Sequence, residues 1–153
     1  MADQGYDTDL ALWAESQARA LRDAGHAGTN LPIDWENVAE EIEALGMSQA
    51  RELASRVRTI LVHLIKLQAS PATEPHGAWR ETIVEQRSEI ERVIKDSPSL
   101  RQVVGSIIAE EIEPARRQAS AVLTEHRETP SVDVDQPSYI DADVLGDWFP
   151  PES

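Results

Sequence analysis

Apolar residues recur along this chain at intervals of three and four, the spacing of one face of an α-helix. Leu10, Trp13, Ala14, Gln17, Leu21 and Ala24 share a face, and Gly25 ends that run. Asp34 then stands as an N-cap before Trp35, Val38, Ala39, Ile42 and Leu45, with Gly46 where a C′ glycine belongs. Ser48 caps a third segment with Leu53, Val57, Ile60, Leu61, Leu64 and Leu67. Between Ile60 and Leu67 this segment is apolar around most of its circumference, which places it centrally. Pro71 and Pro75 bracket a loop. A fourth helix starts near His76 and carries Trp79, Ile83, Ile90, Val93 and Ile94. Ser97 as N-cap and Pro98 at the first helical position open a fifth, with Leu100, Val103, Val104, Ile107, Ile108, Ala115 and Val122. Pro114 lies inside the fifth and costs roughly 3 kcal/mol there, so a kink or break is expected near Glu110–Glu113.

Beyond Glu128 the pattern changes. Pro130, Pro137, Pro150 and Pro151 punctuate the chain and no helical stripe survives. Tyr139, Ile140, Val144, Leu145, Trp148 and Phe149 nonetheless supply apolar surface that a disordered tail would lack. The expected architecture is all-α: a single-domain bundle of about five helices over residues 1–127. An acidic, proline-containing tail, residues 128–153, docks on it with a short helix at Asp141–Gly146. Tyr139, Leu145, Trp148 and Phe149 are the expected anchors. No internal repeat and no alternating strand pattern is present.

Charge adds a second layer. The 153 residues carry 28 acidic and 14 basic side chains, for a net charge of −14. Residues 1–47 hold ten acids and two arginines, residues 48–127 eleven acids and twelve bases, and residues 128–153 seven acids and no base. A balanced middle is thus flanked by two acidic segments, whose partners should be basic. Free nucleic acid and anionic membrane surfaces are disfavoured, because both are bound through Lys and Arg. With no cysteine there is no disulfide framework, thiolate metal site or cysteine nucleophile. Met1–Gly5 is acidic and no apolar run follows it, and the longest apolar stretch, Ile60–Leu67, is far short of the roughly 20 residues of a spanning helix. A cytoplasmic protein is expected by elimination.

Several blocks resemble a known family. Asp34-Trp35-Glu36-Asn37-Val38-Ala39-Glu40-Glu41-Ile42-Glu43 is its most recognisable segment. His63-Leu64-Ile65-Lys66-Leu67-Gln68, Trp79-Arg80-Glu81-Thr82-Ile83 with Gln86-Arg87, and Ser97-Pro98-Ser99-Leu100 follow in order. Tyr6, Asp9 and Trp13 resemble its opening, and Pro137-Ser138-Tyr139 with Leu145 and Phe149 its close. Leu67 departs from it, since the family often has an aromatic residue there. The family is the bacterial domain of unknown function 29. The resemblance implies an all-helical fold and no particular activity, so no functional residue is carried over from it.

Four polar residues fall at core angles. In 100° steps Gln86 lies about 20° from Trp79 and Glu111 about 20° from Leu100, while Gln17 lies near the centre of the first face and His63 inside an apolar run. A buried carboxylate without a partner costs several kcal/mol, so these groups need partners. They either satisfy one another structurally or form a metal or acid/base site between helices. His63 and Glu111 would be its first ligands, with Glu41 or Glu43 as additional carboxylates. For Glu111, a kink at Pro114 would instead rotate it toward solvent. Against a metal, no Glu-x-x-His or His-Glu-x-x-His spacing occurs, and His26, three residues after Asp23, lies beyond the helix-ending Gly25. Glycine-rich phosphate loops and the nucleophile-elbow motif are absent as well. Arg51, Arg56 and Arg58 cluster without interleaved aromatics and read as surface ion-pair partners. Glu41 and Glu43 flank the apolar stripe and are placed to reach arginines such as Arg56 or Arg87. Glu36 and Glu40 are the candidate partner-facing acids.

Two functions fit these features. One is a small acidic cytoplasmic interaction module, adaptor- or antitoxin-like, non-enzymatic and without cofactor, that binds a basic protein partner and has the option of oligomerising. The alternative is a metal-dependent enzyme with a His/Glu site between helices.

Overall fold

Helices α1 (Leu10–His26), α2 (Trp35–Ala69), α3 (His76–Asp96), α4 (Val104–Glu125) and α5 (Asp141–Leu145) account for the secondary structure, with one 3-10 turn at Pro98–Val103. The computed structural model describes residues 5–152, so residues 1–4, read from sequence as part of the acidic opening, lie outside it. The fold is all-α, with no strand among the described residues.

The helix boundaries correct the sequence reading at α2. Two helices were expected there, divided at Gly46 and Ser48, yet one helix of 35 residues runs through both. The glycine serves close packing. A Cβ at Gly46 would lie 3.1 Å from the Ala14 Cβ and 3.3 Å from the Ala11 carbonyl oxygen. Its missing side chain lets the first half of α2 approach α1. Gly25 is a parallel case. It lies within α1, and a Cβ there would lie 2.7 Å from the Trp35 Cβ. The residue that does leave the helix with a left-handed backbone is Gly28, with φ +81°. The start of α2 follows expectation: Asp34 accepts from the Asn37 backbone N–H at 3.3 Å and the Asn37 side-chain amide at 2.6 Å.

Contacts divide the chain into two compact units, Met1–Leu53 with Arg92–Gln102 and Ala54–Glu91 with Val103–Ser153. This division falls inside α2, inside α3 and within the 3-10 turn, away from residue 128. In the first unit the core is Ala14, Ala18, Ala39, Leu53, Val93, Ile94 and Leu100. Its polar knot is Asp9, which is buried, caps α1 through the Leu12 N–H at 3.0 Å, and accepts from the Ser99 N–H at 2.7 Å and the Ser99 hydroxyl at 3.1 Å. Ser97 is fully buried and accepts from the Ala11 N–H at 3.0 Å. It was expected to cap a fifth α-helix. Instead its hydroxyl serves α1, and a 3-10 turn over Pro98–Val103 precedes α4.

The second unit is built on α2 residues Val57, Ile60, Leu61, Leu64 and Ile65, all fully buried, with Ile83 and Ile90 of α3 and Val104, Ala115, Ala119 and Leu123 of α4. The expected break before Pro114 does not occur, since α4 continues from Val104 to Glu125. Buried residues stand on both sides of the proline, from Ile107 and Ile108 to Ala115, Ala119 and Leu123. At about 1.5–3 kcal/mol for each large side chain, their burial outweighs the loss of one ladder bond.

The segment after α4 belongs to this second unit. Tyr139 is 8% exposed and its hydroxyl donates to the Gln68 side-chain oxygen. The Ser131 N–H reaches the Ala69 carbonyl at 2.7 Å, and Arg116 donates to the Pro137 carbonyl at 2.7 Å. Helix α5 lies where a short helix was expected. Of the expected anchors, Leu145 and Phe149 are half-buried and Trp148 is exposed. Val144, which was not counted among the anchors, is fully buried.

Candidate functional site

The four polar residues placed at core angles do not form one site. Gln17 is exposed, which corrects its expected burial. The seam of α1 is made by its small residues: Ala14 and Ala18 are its two buried positions, and Gly25 faces Trp35. The large Leu10, Trp13 and Leu21 centre the apolar pattern nearer to Gln17 than the buried alanines do. Gln86 is half-buried and accepts from Arg56 at 3.1 Å, a bond between α2 and α3. Arg56 also pairs with Glu89 at 3.7 Å.

His63 is half-buried, and its partner is in its own helix. Nδ1 lies 2.8 Å from the Thr59 carbonyl, which can only accept, so Nδ1 carries the proton. Burial depresses the imidazole pKa below its ordinary value, the Thr59 bond opposes this, and the nearby Lys66 ammonium adds to it. Lys66 is itself lowered by burial, and its Nζ sits 4.5 Å from the Trp79 ring centroid. Glu111 leaves its carboxylate on Arg58. Glu41 is exposed. Among the described residues no three His, Asp or Glu side chains are grouped to hold a metal ion, so His63, Glu111 and Glu41 are not assembled into a ligand set.

Glu43 does find an arginine, but it is Arg22 of α1 rather than Arg56 or Arg87. Arg22 donates to Glu43 at 2.7 Å and to Glu36 at 3.1 Å. That bond, reinforced by the charge of Arg22, holds the Glu43 carboxyl below the usual carboxylate range. Glu36 and Glu40 are exposed one turn apart on α2, and Glu43 and Met47 continue the same ridge.

Beside this ridge the α1–α2 seam opens into a surface groove. One part, of about 330 Å³, is lined by Ala11, Gly46, Met47, Ala50 and Leu100, with Glu15 and Glu43 at its rim. A second part, of about 380 Å³, shares Glu15 and Glu43 and adds Arg19, Arg22, Asp23 and His26. Glu15 pairs with Arg19 at 3.2 Å. The residues that bring α1 and α2 close, Gly46 against Ala11 and Ala14, are too small to fill the groove they create.

Arg87 was missed as a buried group. It donates from Nε to the Val144 carbonyl at 2.9 Å and from Nη2 to the carbonyls of Asp143 at 2.8 Å and Trp148 at 2.6 Å. The Phe149 ring centroid is 4.8 Å from its guanidinium carbon. The signal was present: Ile83, Arg87, Ile90 and Ile94 follow the 4,3,4 spacing of the α3 stripe.

A family model described as domain of unknown function DUF29 matches residues 6–147. The chain belongs to that family. The DUF29 match spans every helix above, from Asp9 at the α1 cap to α5. A crystal structure at 1.45 Å of an α-helical protein of unknown function from Rhodospirillum rubrum ATCC 11170 is similar. Identity is 29% over 94% of this chain and 90% of that one, with a TM-score of 0.78. No curated protein matches. Among the described residues no helix is long and apolar enough to cross a membrane.

Proposed function

We propose that this DUF29 protein is a small helical interaction module, adaptor- or antitoxin-like and without catalysis of its own, that docks a basic protein partner. The observation that carries this reading is the α2 ridge. Glu36 and Glu40 stand exposed one turn apart with Glu43 a turn further, and Arg22 pairs with Glu36 and Glu43. The sequence places ten acids against two arginines in residues 1–47, so the field over this ridge is negative. Exposed pairs such as Arg22–Glu36 add little stability, which suits residues that serve a partner. The metal-dependent alternative lacks a comparable arrangement, since its three candidate ligands have separate surroundings.

The test is binding of a lysine-rich peptide to the full chain, followed by calorimetry at low and high salt. Replacing Glu36→Lys and Glu40→Lys together should weaken binding about tenfold at low salt, and the effect should shrink as salt screens it. Replacing Glu81→Lys and Glu85→Lys, two exposed acids of α3, changes the net charge equally and should weaken it much less. Equal losses from both pairs would mean that net charge alone draws the peptide and would overturn the assignment.

A further inference from the structure

We propose that the α1–α2 groove receives one face of an amphipathic basic helix. A large aliphatic side chain of that helix seats on Ala11, Gly46 and Ala50, and its lysines or arginines meet Glu15 and Glu43. This deepens the reading above and rests on it.

The shape of the groove selects the occupant. Its lining residues follow helical spacing on both walls, Ala11 and Glu15 on α1 and Glu43, Met47 and Ala50 on α2, so the groove runs along the two helices. A partner helix laid along it presents side chains at the same intervals, the mode by which amphipathic helices bind apolar grooves. Its apolar lining is mostly small, Ala11, Gly46 and Ala50, with Leu100 and Met47 as the large side chains. Met47 stands 47% exposed along the wall, a costly position for an apolar side chain in water. Its flexible thioether can adapt to different aliphatic side chains, a property of methionine-rich binding surfaces.

Charge selects the sign of the occupant. Glu15 and Glu43 are the charged residues at the rim of the apolar part. Both already touch an arginine, Arg19 and Arg22, but a carboxylate has about four acceptor sites and can take a second cation. Arg22 is divided between Glu43 and Glu36, so the rim keeps a negative excess. An acidic helix would set like charge against these carboxylates, and a purely apolar one would desolvate them while offering no cation of its own.

The probe pair is two synthetic helical peptides of about 14 residues with the same number of lysines. One has leucines along its opposite face, and the other has glutamines in their place. Each is titrated into the ¹⁵N-labelled full chain. The leucine peptide should bind about tenfold more tightly, a difference of roughly 1.4 kcal/mol, with amide shifts at Ala11, Gly46, Met47 and Ala50. Met47→Lys should reduce the leucine peptide to the affinity of the glutamine peptide, and Met47→Gln should do so in part. Their exposed site makes both variants compatible with folding, and an unchanged melting temperature checks this. If both peptides bind equally with shifts confined to Glu36–Glu41, the groove is not the receptor and only the charge reading stands. If neither binds, both readings fall.

Discussion

The Arg87 guanidinium donates to the backbone carbonyl of Trp148 at 2.6 Å, and the same side chain holds the carbonyls of Asp143 and Val144. Those two carbonyls belong to the last turn of α5, where the helix leaves its acceptors without partners. One buried arginine thereby caps α5 and fixes the segment behind it. Burial lowers the Arg87 pKa and the charges of Asp147 and Asp143 oppose this, yet arginine keeps its proton under any ordinary condition.

Arg87→Met should therefore cost about 2–4 kcal/mol, since it strands the Val144 carbonyl, whose bond is buried, at about 1–3 kcal/mol, and breaks two part-buried bonds, to Asp143 and Trp148, that water replaces in part. Arg87→Lys should recover only part of this, because an ammonium cannot reproduce the planar fork that spans three carbonyls. Chemical denaturation of the three proteins measures both. The Arg87→Met loss should be accompanied by faster hydrogen exchange at Val144 and Leu145.

Gly25→Ala should lower stability, against the usual trend. In an ordinary helix this change gains about 1 kcal/mol. Here the added Cβ would stand 2.7 Å from the Trp35 Cβ, so backbone must shift, and a net loss of about 1–3 kcal/mol is expected in thermal melts.

Arg127 has φ 56°, directly after α4, a backbone that glycine adopts without strain. The Glu128 N–H closes back onto the Leu123 carbonyl at 2.9 Å around it. Arg127→Gly should raise stability by about 0.5 kcal/mol, the relief of left-handed strain less the entropy of a glycine. The melting temperature reads this directly.

How much of this was legible in the sequence depends on what each residue signals locally. Asp34 reads as a cap because its chemistry is local, and the start of α3 at His76 and the site of α5 follow in the same way. Gly46 followed by Ser48 reads as an end and a start, while in the structure the glycine is required by Ala14, thirty-two residues away. Local pattern cannot tell a glycine that stops a helix from one that admits a neighbour. The same blindness hid the groove, which arises from the smallness of Ala11, Gly46 and Ala50 across two helices. Arg87 was passed over because a charge suggests surface, although its spacing placed it among isoleucines. Gln17 failed for the opposite reason, since large apolar neighbours outweighed the alanines that make the contact.

His63 should give stability a pH dependence. Its folded pKa lies below the ordinary 6.5, so between the two values the unfolded chain binds more protons than the folded one. Its contribution is complete above about pH 7, falls as pH drops through 6.5 toward the folded pKa, and then levels off. Denaturation of the wild type and His63→Gln across this range should give a difference curve with that sign, the wild type losing stability relative to the variant on acidification.

The claim that α2 presents an acidic docking ridge to a basic protein is tested most directly by carbodiimide cross-linking in a cell extract, because this reagent joins carboxylates to lysine amines without a spacer. The account predicts one dominant partner, richer in lysine and arginine than in acids, joined at Glu36 or Glu40, and lost when salt is raised before the reagent is added. Cross-links that persist at high salt, or that fall evenly over the acids of the chain with none enriched at Glu36 and Glu40, would contradict it.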